Sequence, residues 1–349
     1  MSETIRIRHL TNNDTDLIPL WDQEIRECNL PPHALYAWKN ILEDVYKAKT
    51  YALLALNGES KLMGYALLFK PKGEEALYSC RYGFWAATKE AANALCEEIK
   101  SIAAKHKVQK ALVTSGEFPL DLPDKEKSKE SLFLPLIYAD EEQLWQSIPK
   151  KTKNMIRKAE KSGLSLTYDW GYLPEFYEIY AQRFIEKGLH IQPIEHFQAV
   201  RDLFGSDAVF IGALQEGKLV AGMIFLSAGK TVSYAYNASI VSASNNGANN
   251  LIMWDAMQYF YRKGAQYVDL SESTPDSPVY KFKTHLSKDI QIREIYYYDA
   301  LSGQKFAGAS FSHFIRNKVR GAMHRLMPLM PPRLKRKYLT NLGTRGRII

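Results

Sequence analysis

The stretch AVFIGALQEGKLVAGMIFLSAGKTVSYAY, residues 208–236, decides the fold. Its runs Ala208 to Leu214, Lys218 to Ser227 and Thr231 to Tyr236 have strand length and strand-forming residues, with Gly217 in the turn between the first two. They predict an antiparallel meander. Upstream lie a strand, Leu164 to Tyr168, and helices Pro174 to Lys187 and Ile194 to Phe204. Downstream come a long helix, Ala248 to Lys263, and strands Tyr267 to Leu270 and Ile292 to Tyr298. The first part of the chain repeats this scheme. It has a strand Ile5 to Leu10, helices around Asp14 to Cys28 and His33 to Lys47, strands Tyr51 to Leu56, Lys61 to Phe69 and Ala76 to Tyr82, a helix Ala87 to His106 and a strand Lys110 to Thr114. One α+β unit occurs twice.

The run from Asp121 to Glu130 joins the halves, and its proline and dense charge predict a solvated loop. A strand Leu132 to Tyr138 and a helix Asp140 to Lys161 then open the second half. A length of 349 residues accommodates two cores. Cys28, Cys80 and Cys96 have no CxxC spacing and are too few for a disulfide framework or a zinc site, which predicts a reducing cytoplasm and no metal centre. The N-terminus lacks a basic segment followed by an apolar run, and no run has the length to cross a bilayer. The net charge of +8 resembles that of a nucleic-acid binder, but ten of the positive charges lie from His313 onward with no Asp or Glu, which leaves −2 for the rest.

Three ordered segments carry the chemistry: residues 144–164, LWQSIPKKTKNMIRKAEKSGL; the helix start 248–257, ANNLIMWDAM, followed by Gly264 and the strand Tyr267 to Leu270; and residues 279–286, VYKFKTHL. In this order and spacing they resemble the FemABX aminoacyltransferases and related GNAT-like proteins. The resemblance covers about residues 140 to 300, and the first domain matches only in its expected fold. It implies two tandem GNAT-like domains of the α+β class with mixed central sheets, at 1–125 and 131–310, followed by a basic tail at 311–349. It also implies transfer of an acyl or aminoacyl group to an amine on a phosphate-bearing cell-envelope precursor, peptidoglycan or amino-sugar. The family usually has a glycine after the Phe-Lys pair, where this chain has Leu286-Ser287.

Several residues follow as site candidates. On the helix from Lys150 to Lys161, positions 150, 153, 154, 157 and 161 share one face, and the substrate-binding candidates on this helix are Lys151, Lys153, Asn154, Arg157 and Lys158. Lys153 and Arg157 suit a diphosphate, as a point charge and a planar fork. A solvated basic face is the plainer alternative. The turn Asn245 to Asn249 has one glycine and no arginine, where CoA-dependent enzymes present a richer pyrophosphate loop. This favours aminoacyl-tRNA or an acyl carrier protein thioester over acyl-CoA as donor, with no permanently bound cofactor; Asn249 is a candidate contact, unless the turn merely caps the helix.

Transfer to an amine demands positioning and a donor for the oxyanion. Lys283 is the candidate for that donor, and Tyr236 and Tyr280 for proton carriers; a surface lysine on a short helix and half-buried strand tyrosines are the plainer alternatives. Asp269 and Glu272, near a strand end, are candidates to orient the amine. In the tail, apolar residues from Phe311 to Met330 recur at helical spacing beside Arg316, Lys318, Arg320 and Arg325, and Pro328, Pro331 and Pro332 end that helix before the cluster Arg333 to Lys337. Such a segment suits an anionic membrane surface and a peripheral place at its inner face, with a C-terminal helix docked on the second domain and frayed at its cationic end as the plainer alternative. The competing expectation is a non-catalytic membrane- or RNA-associated binding protein.

Overall fold

The computed structural model describes residues 4–116, 125–301 and 330–343. Twelve strands form one sheet: β1 (Arg6–Leu10), β2 (Lys49–Leu56), β3 (Leu62–Lys70), β4 (Ala76–Ala86), β5 (Lys110–Ser115), β6 (Lys125–Pro135), β7 (Leu164–Thr167), β8 (Ala208–Gln215), β9 (Lys218–Ala228), β10 (Thr231–Ser239), β11 (Tyr267–Glu272) and β12 (Gln291–Asp299). Their spatial order is β1-β2-β3-β4-β5-β12-β6-β11-β10-β9-β8-β7. In each half an antiparallel meander ends in a short parallel pair. β4 and β5 pair over Ala76–Tyr78 and Lys110–Leu112, and β10 and β11 over Thr231–Ser233 and Tyr267–Asp269. Both parallel pairs need a crossover, supplied by α3 (Lys89–Lys105) and α9 (Ala248–Arg262).

Helices cover both faces. α1 (Leu17–Glu27), α2 (Ala37–Asp44), α6 (Leu173–Lys187) and α7 (Ile194–Phe204) share one face, where Trp21, Ile25 and Leu42 of the first half join Phe176, Tyr180 and Phe197 of the second in a common core. On the opposite face α3 packs over the first half, and α9 with α4 (Glu141–Ser147) and α5 (Lys150–Lys161) over the second. β9 is buried over Leu219–Leu226, which explains its unbroken apolar run.

Four sequence expectations are corrected. Residues 125–130, expected in a loop, are strand. Lys125 to Phe133 pairs with β12, whereas β11 pairs only from Ser131 onward, so the charged part of β6 has a neighbour on one side. On the side facing β12 its backbone bonds are satisfied whatever its side chains. The expected helix from Asp140 to Lys161 breaks at Pro149, whose ring forces Ile148 into extended backbone, giving α4 and α5. The helix expected from His33 to Lys47 is a 3-10 turn, Pro32–Ala34, followed by the shorter α2.

The second basic cluster, expected beyond the last helix, forms a helix itself, Pro332–Gly343, with Pro332 at its start. It docks on the second half: Leu339 is fully buried, and Arg336 makes two hydrogen bonds of 2.8 and 2.9 Å to Glu178 of α6. The amphipathic stretch from Phe311 to Met327 lies outside the described residues. No described helix is long and apolar enough to cross a membrane.

Candidate active site

The site forms where strands separate. Beyond Ser233 and Asp269, β10 and β11 no longer pair, and β10 bulges between Tyr234 and Tyr236. A cavity of about 560 Å³ opens there. Ala235 and Tyr236 line it from β10, and Ser271 and Glu272 from β11. The first half closes it with Cys80 and Arg81 of β4 and with His33 and Trp38.

Arg81 reaches the site through a bulge. Between the pairs Leu68–Ser79 and Ala66–Phe84, β4 has extra residues, and Tyr82 adopts φ +53° there. A left-handed conformation is costly for a bulky residue and persists only where the surroundings impose it; the Tyr65 hydroxyl donates to the Tyr82 carbonyl at 2.6 Å. The bulge aims Arg81 at the end of β11. Its Nη1 donates to Asp269 Oδ2 at 2.5 Å, its Nη2 to Ser131 Oγ at 2.8 Å, and its Nε to Glu272 Oε1 at 3.2 Å. Asp269 also accepts from Ser131 Oγ at 2.8 Å and from the Ser271 amide at 2.9 Å. Burial alone would raise the Asp269 pKa, but the Arg81 charge and these hydrogen bonds outweigh it and hold the carboxylate below its ordinary range.

Lys283 lies under the same strand end, on the short helix α10 (Pro278–Thr284). It is 4% exposed, and its ammonium donates to the carbonyls of Glu272 at 3.1 Å and Ser271 at 3.3 Å. Burial lowers its pKa to about 8 despite the nearby carboxylates. The lysine therefore grips the β11 terminus from below and is not among the residues that line the cavity. Asp269 is likewise fully buried and engaged by Arg81, while Glu272 lines the cavity.

Tyr236 heads a buried hydrogen-bond chain. Its hydroxyl lies 2.6 Å from His196 Nε2, His196 Nδ1 lies 2.9 Å from the Tyr46 hydroxyl, and Tyr46 donates to Gln192 Oε1 at 2.6 Å. With the Tyr46 proton on Gln192, His196 donates from Nδ1 and accepts the Tyr236 proton at Nε2. Burial holds His196 near pKa 3, so the ring is neutral. His33, at the cavity wall, is also lowered to about 3, first by burial and then by Arg81, and its Nδ1 has no hydrogen-bond partner among the described residues. Tyr236→Phe is expected to strand the buried His196 Nε2 and cost about 1–3 kcal/mol of stability. Urea unfolding measures this, and a loss near zero would overturn the direction assigned to the chain. For both histidines the unfolded chain takes up protons below pH 6.5 that the folded state refuses until about 3, so their burial lowers stability as pH falls across that window.

The other predicted residues lie apart from this cavity. On α5, Lys151, Asn154, Arg157 and Lys158 are exposed. Lys153 and Arg157 sit over the Trp145 ring at 5.2 and 5.7 Å, and Lys158 donates to the Asn245 carbonyl at 3.1 Å. Asn154, Arg157, Lys158 and Lys161 line a separate, open depression. The turn before α9 presses on this helix: Gly247 has φ +86°, and a Cβ there would lie 2.4 Å from the Met155 carbonyl oxygen. Asn249 donates to Ser239 Oγ at 3.1 Å and Ser244 Oγ at 3.3 Å. Tyr280 packs against the second-half core. Among the described residues, no cluster of His, Cys, Asp or Glu could hold a metal.

Sequence reading missed Arg81, His33, Tyr46 and His196, because none lies in the three segments. The only local signal near Arg81 is Gly83, where a Cβ would meet the Cys80 carbonyl oxygen at 2.8 Å and so oppose the bulge.

The two halves share one arrangement of strands and helices, a tandem GNAT-like fold, with a cavity at their joint. The FemAB family model matches residues 66–215, less than half of the chain. Of the three segments quoted at the outset, only the first lies in that range. No curated protein matches the chain in sequence. Among solved structures, FemX is 15% identical with a TM-score of 0.66, over 84% of this chain and 97% of FemX. A tandem GNAT protein from the clavulanic acid biosynthesis pathway is 13% identical with a TM-score of 0.55, over 86% of this chain and all of that one. The C-terminal domain of a putative lysylphosphatidylglycerol synthetase from Agrobacterium fabrum is 10% identical with a TM-score of 0.51, over 81% and 92%.

Proposed function

We propose that this chain transfers an acyl or aminoacyl group to an amine of a phosphate-bearing cell-envelope precursor, in the cavity between its halves. The observation that carries this reading is the meeting of Glu272, Tyr236 and Arg81 at the separated ends of β10 and β11. A carboxylate can hold the incoming ammonium and receive its proton. The Tyr236 hydroxyl directs its own hydrogen to His196, which leaves its oxygen free to accept an N–H of the amine. Arg81 supplies positive charge near the developing oxyanion, and Lys283 and Asp269 act through the strand end and the guanidinium they position.

In the reaction the amine nitrogen bonds to the donor carbonyl, and the ester or thioester bond breaks with the oxygen or sulfur as leaving group. Aminoacyl-tRNA, an acyl carrier protein thioester and acyl-CoA all fit that description. The exposed cations of α5 suit the phosphates of such partners, and FemX and the lysylphosphatidylglycerol synthetase domain share the fold. A cytoplasmic protein at the inner membrane face fits a lipid-linked acceptor, with residues 311–349 as the contact.

The test follows labelled amino acids from charged tRNA, and labelled acyl groups from CoA and carrier protein, into envelope precursors read by mass spectrometry. Transfer from one donor, lowered about 100-fold or more in Glu272→Gln, is expected. If the folded protein accepts none of the three donors, the proposal fails and a non-catalytic binding role stands.

A further inference from the structure

The first half repeats the strand separation that makes the site in the second. β4 and β5 part after Tyr78 and Leu112, and β5 ends at Ser115 while β4 runs on to Ala86. The gap between β4 and β12 holds a second cavity, of about 460 Å³, against the usual range of about 300–1,000 Å³ for ligand sites. It lies on the far side of Tyr82 from Arg81: Tyr82 lines this cavity, while its ring packs 4.7 Å from the Arg81 guanidinium.

Its walls differ from those of the first cavity. Tyr65, Tyr82, Phe84, Trp85 and Phe133 present aromatic surface, and the cation is Arg293. The Arg293 guanidinium lies 4.3 Å from the Phe133 ring centroid and 4.2 Å from that of Tyr267, and is steadied by Gln291 Oε1 at 3.1 Å. It has no carboxylate partner among the described residues. The one carboxylate in the lining, Glu294, accepts a hydrogen bond from the Tyr296 hydroxyl. An arginine fixed between two rings at the edge of an aromatic cavity loses little freedom on meeting a planar anion.

We infer that this cavity is a second binding site, for a small ligand with a flat apolar body and an anionic head. The body lies against the Tyr82, Phe84 and Trp85 rings, and a carboxylate or phosphate meets Arg293. The full-length protein is titrated by calorimetry with 4-phenylbutyrate, phenyl phosphate and the neutral 4-phenylbutanol, and the two anionic arms separate carboxylate from phosphate recognition. At least one anion is expected to bind at least tenfold more tightly than the alcohol. Arg293→Met should abolish that preference and Arg293→Lys keep part of it, with circular dichroism confirming that both variants fold. Equal affinity for alcohol and anions, a preference that survives Arg293→Met, or no binding of any probe at millimolar concentration would overturn the inference.

Discussion

Arg81→Met is expected to destabilise the protein by about 3–5 kcal/mol and to abolish transfer, because it strips the counter-charge from a carboxylate with no exposure to solvent. The sign of its pH dependence is distinctive. In the native protein the Asp269 pKa is below 3.8, so the pair contributes stability that is present above that value and lost as pH falls through the folded pKa. Without Arg81 the buried carboxyl prefers its proton, and the folded-state pKa rises above the unfolded one. The deficit of the variant should therefore be largest at neutral pH and shrink toward about pH 4. Urea unfolding at several pH values reads this directly. A loss below about 1 kcal/mol, or one independent of pH, would show that Asp269 does not depend on Arg81.

Lys283→Met should separate stability from activity. Burial lowers the lysine from 10.5 to about 8, so below pH 8 the folded state carries a charge it disfavours, at a cost on the order of 3 kcal/mol. That cost is fully present below the folded pKa and is relieved as pH rises from about 8 to 10.5. The methionine variant should accordingly be no less stable than the parent at pH 7, and its stability should lack the parent's rise across that window. Transfer should nonetheless fall about 100-fold, since the Ser271 and Glu272 carbonyls lose the ammonium that fixes the cavity wall. If stability and activity fall together, the lysine is merely structural.

Local pattern carried most of the fold. The meander from Ala208 to Ser239, the helix from Ala248 and the second-half helix from Ile194 to Phe204 follow from apolar runs and turn residues whose effects act within a few positions. The errors arose where context outweighed pattern. The charged start of β6 is strand because β12, about 165 residues later, hydrogen-bonds to it. The basic cluster at Arg333 is helix because Leu339 finds a buried place against the second half.

The site divides along the same line. Sequence by itself determined that Tyr236, Asp269, Glu272 and Lys283 follow one another at strand ends and on a short helix, because their spacing is local to one α+β unit. It could not determine which of them faces the cavity. Tertiary structure decided that Glu272 and Tyr236 line the cavity while Asp269 and Lys283 lie buried behind it. It also supplied Arg81, 188 positions from the aspartate it pairs with, and His196, 150 positions from Tyr46. Such pairs leave no periodicity to read: their partners meet only once two bulged strands and two helices from different halves have packed, and burial then sets their charge states.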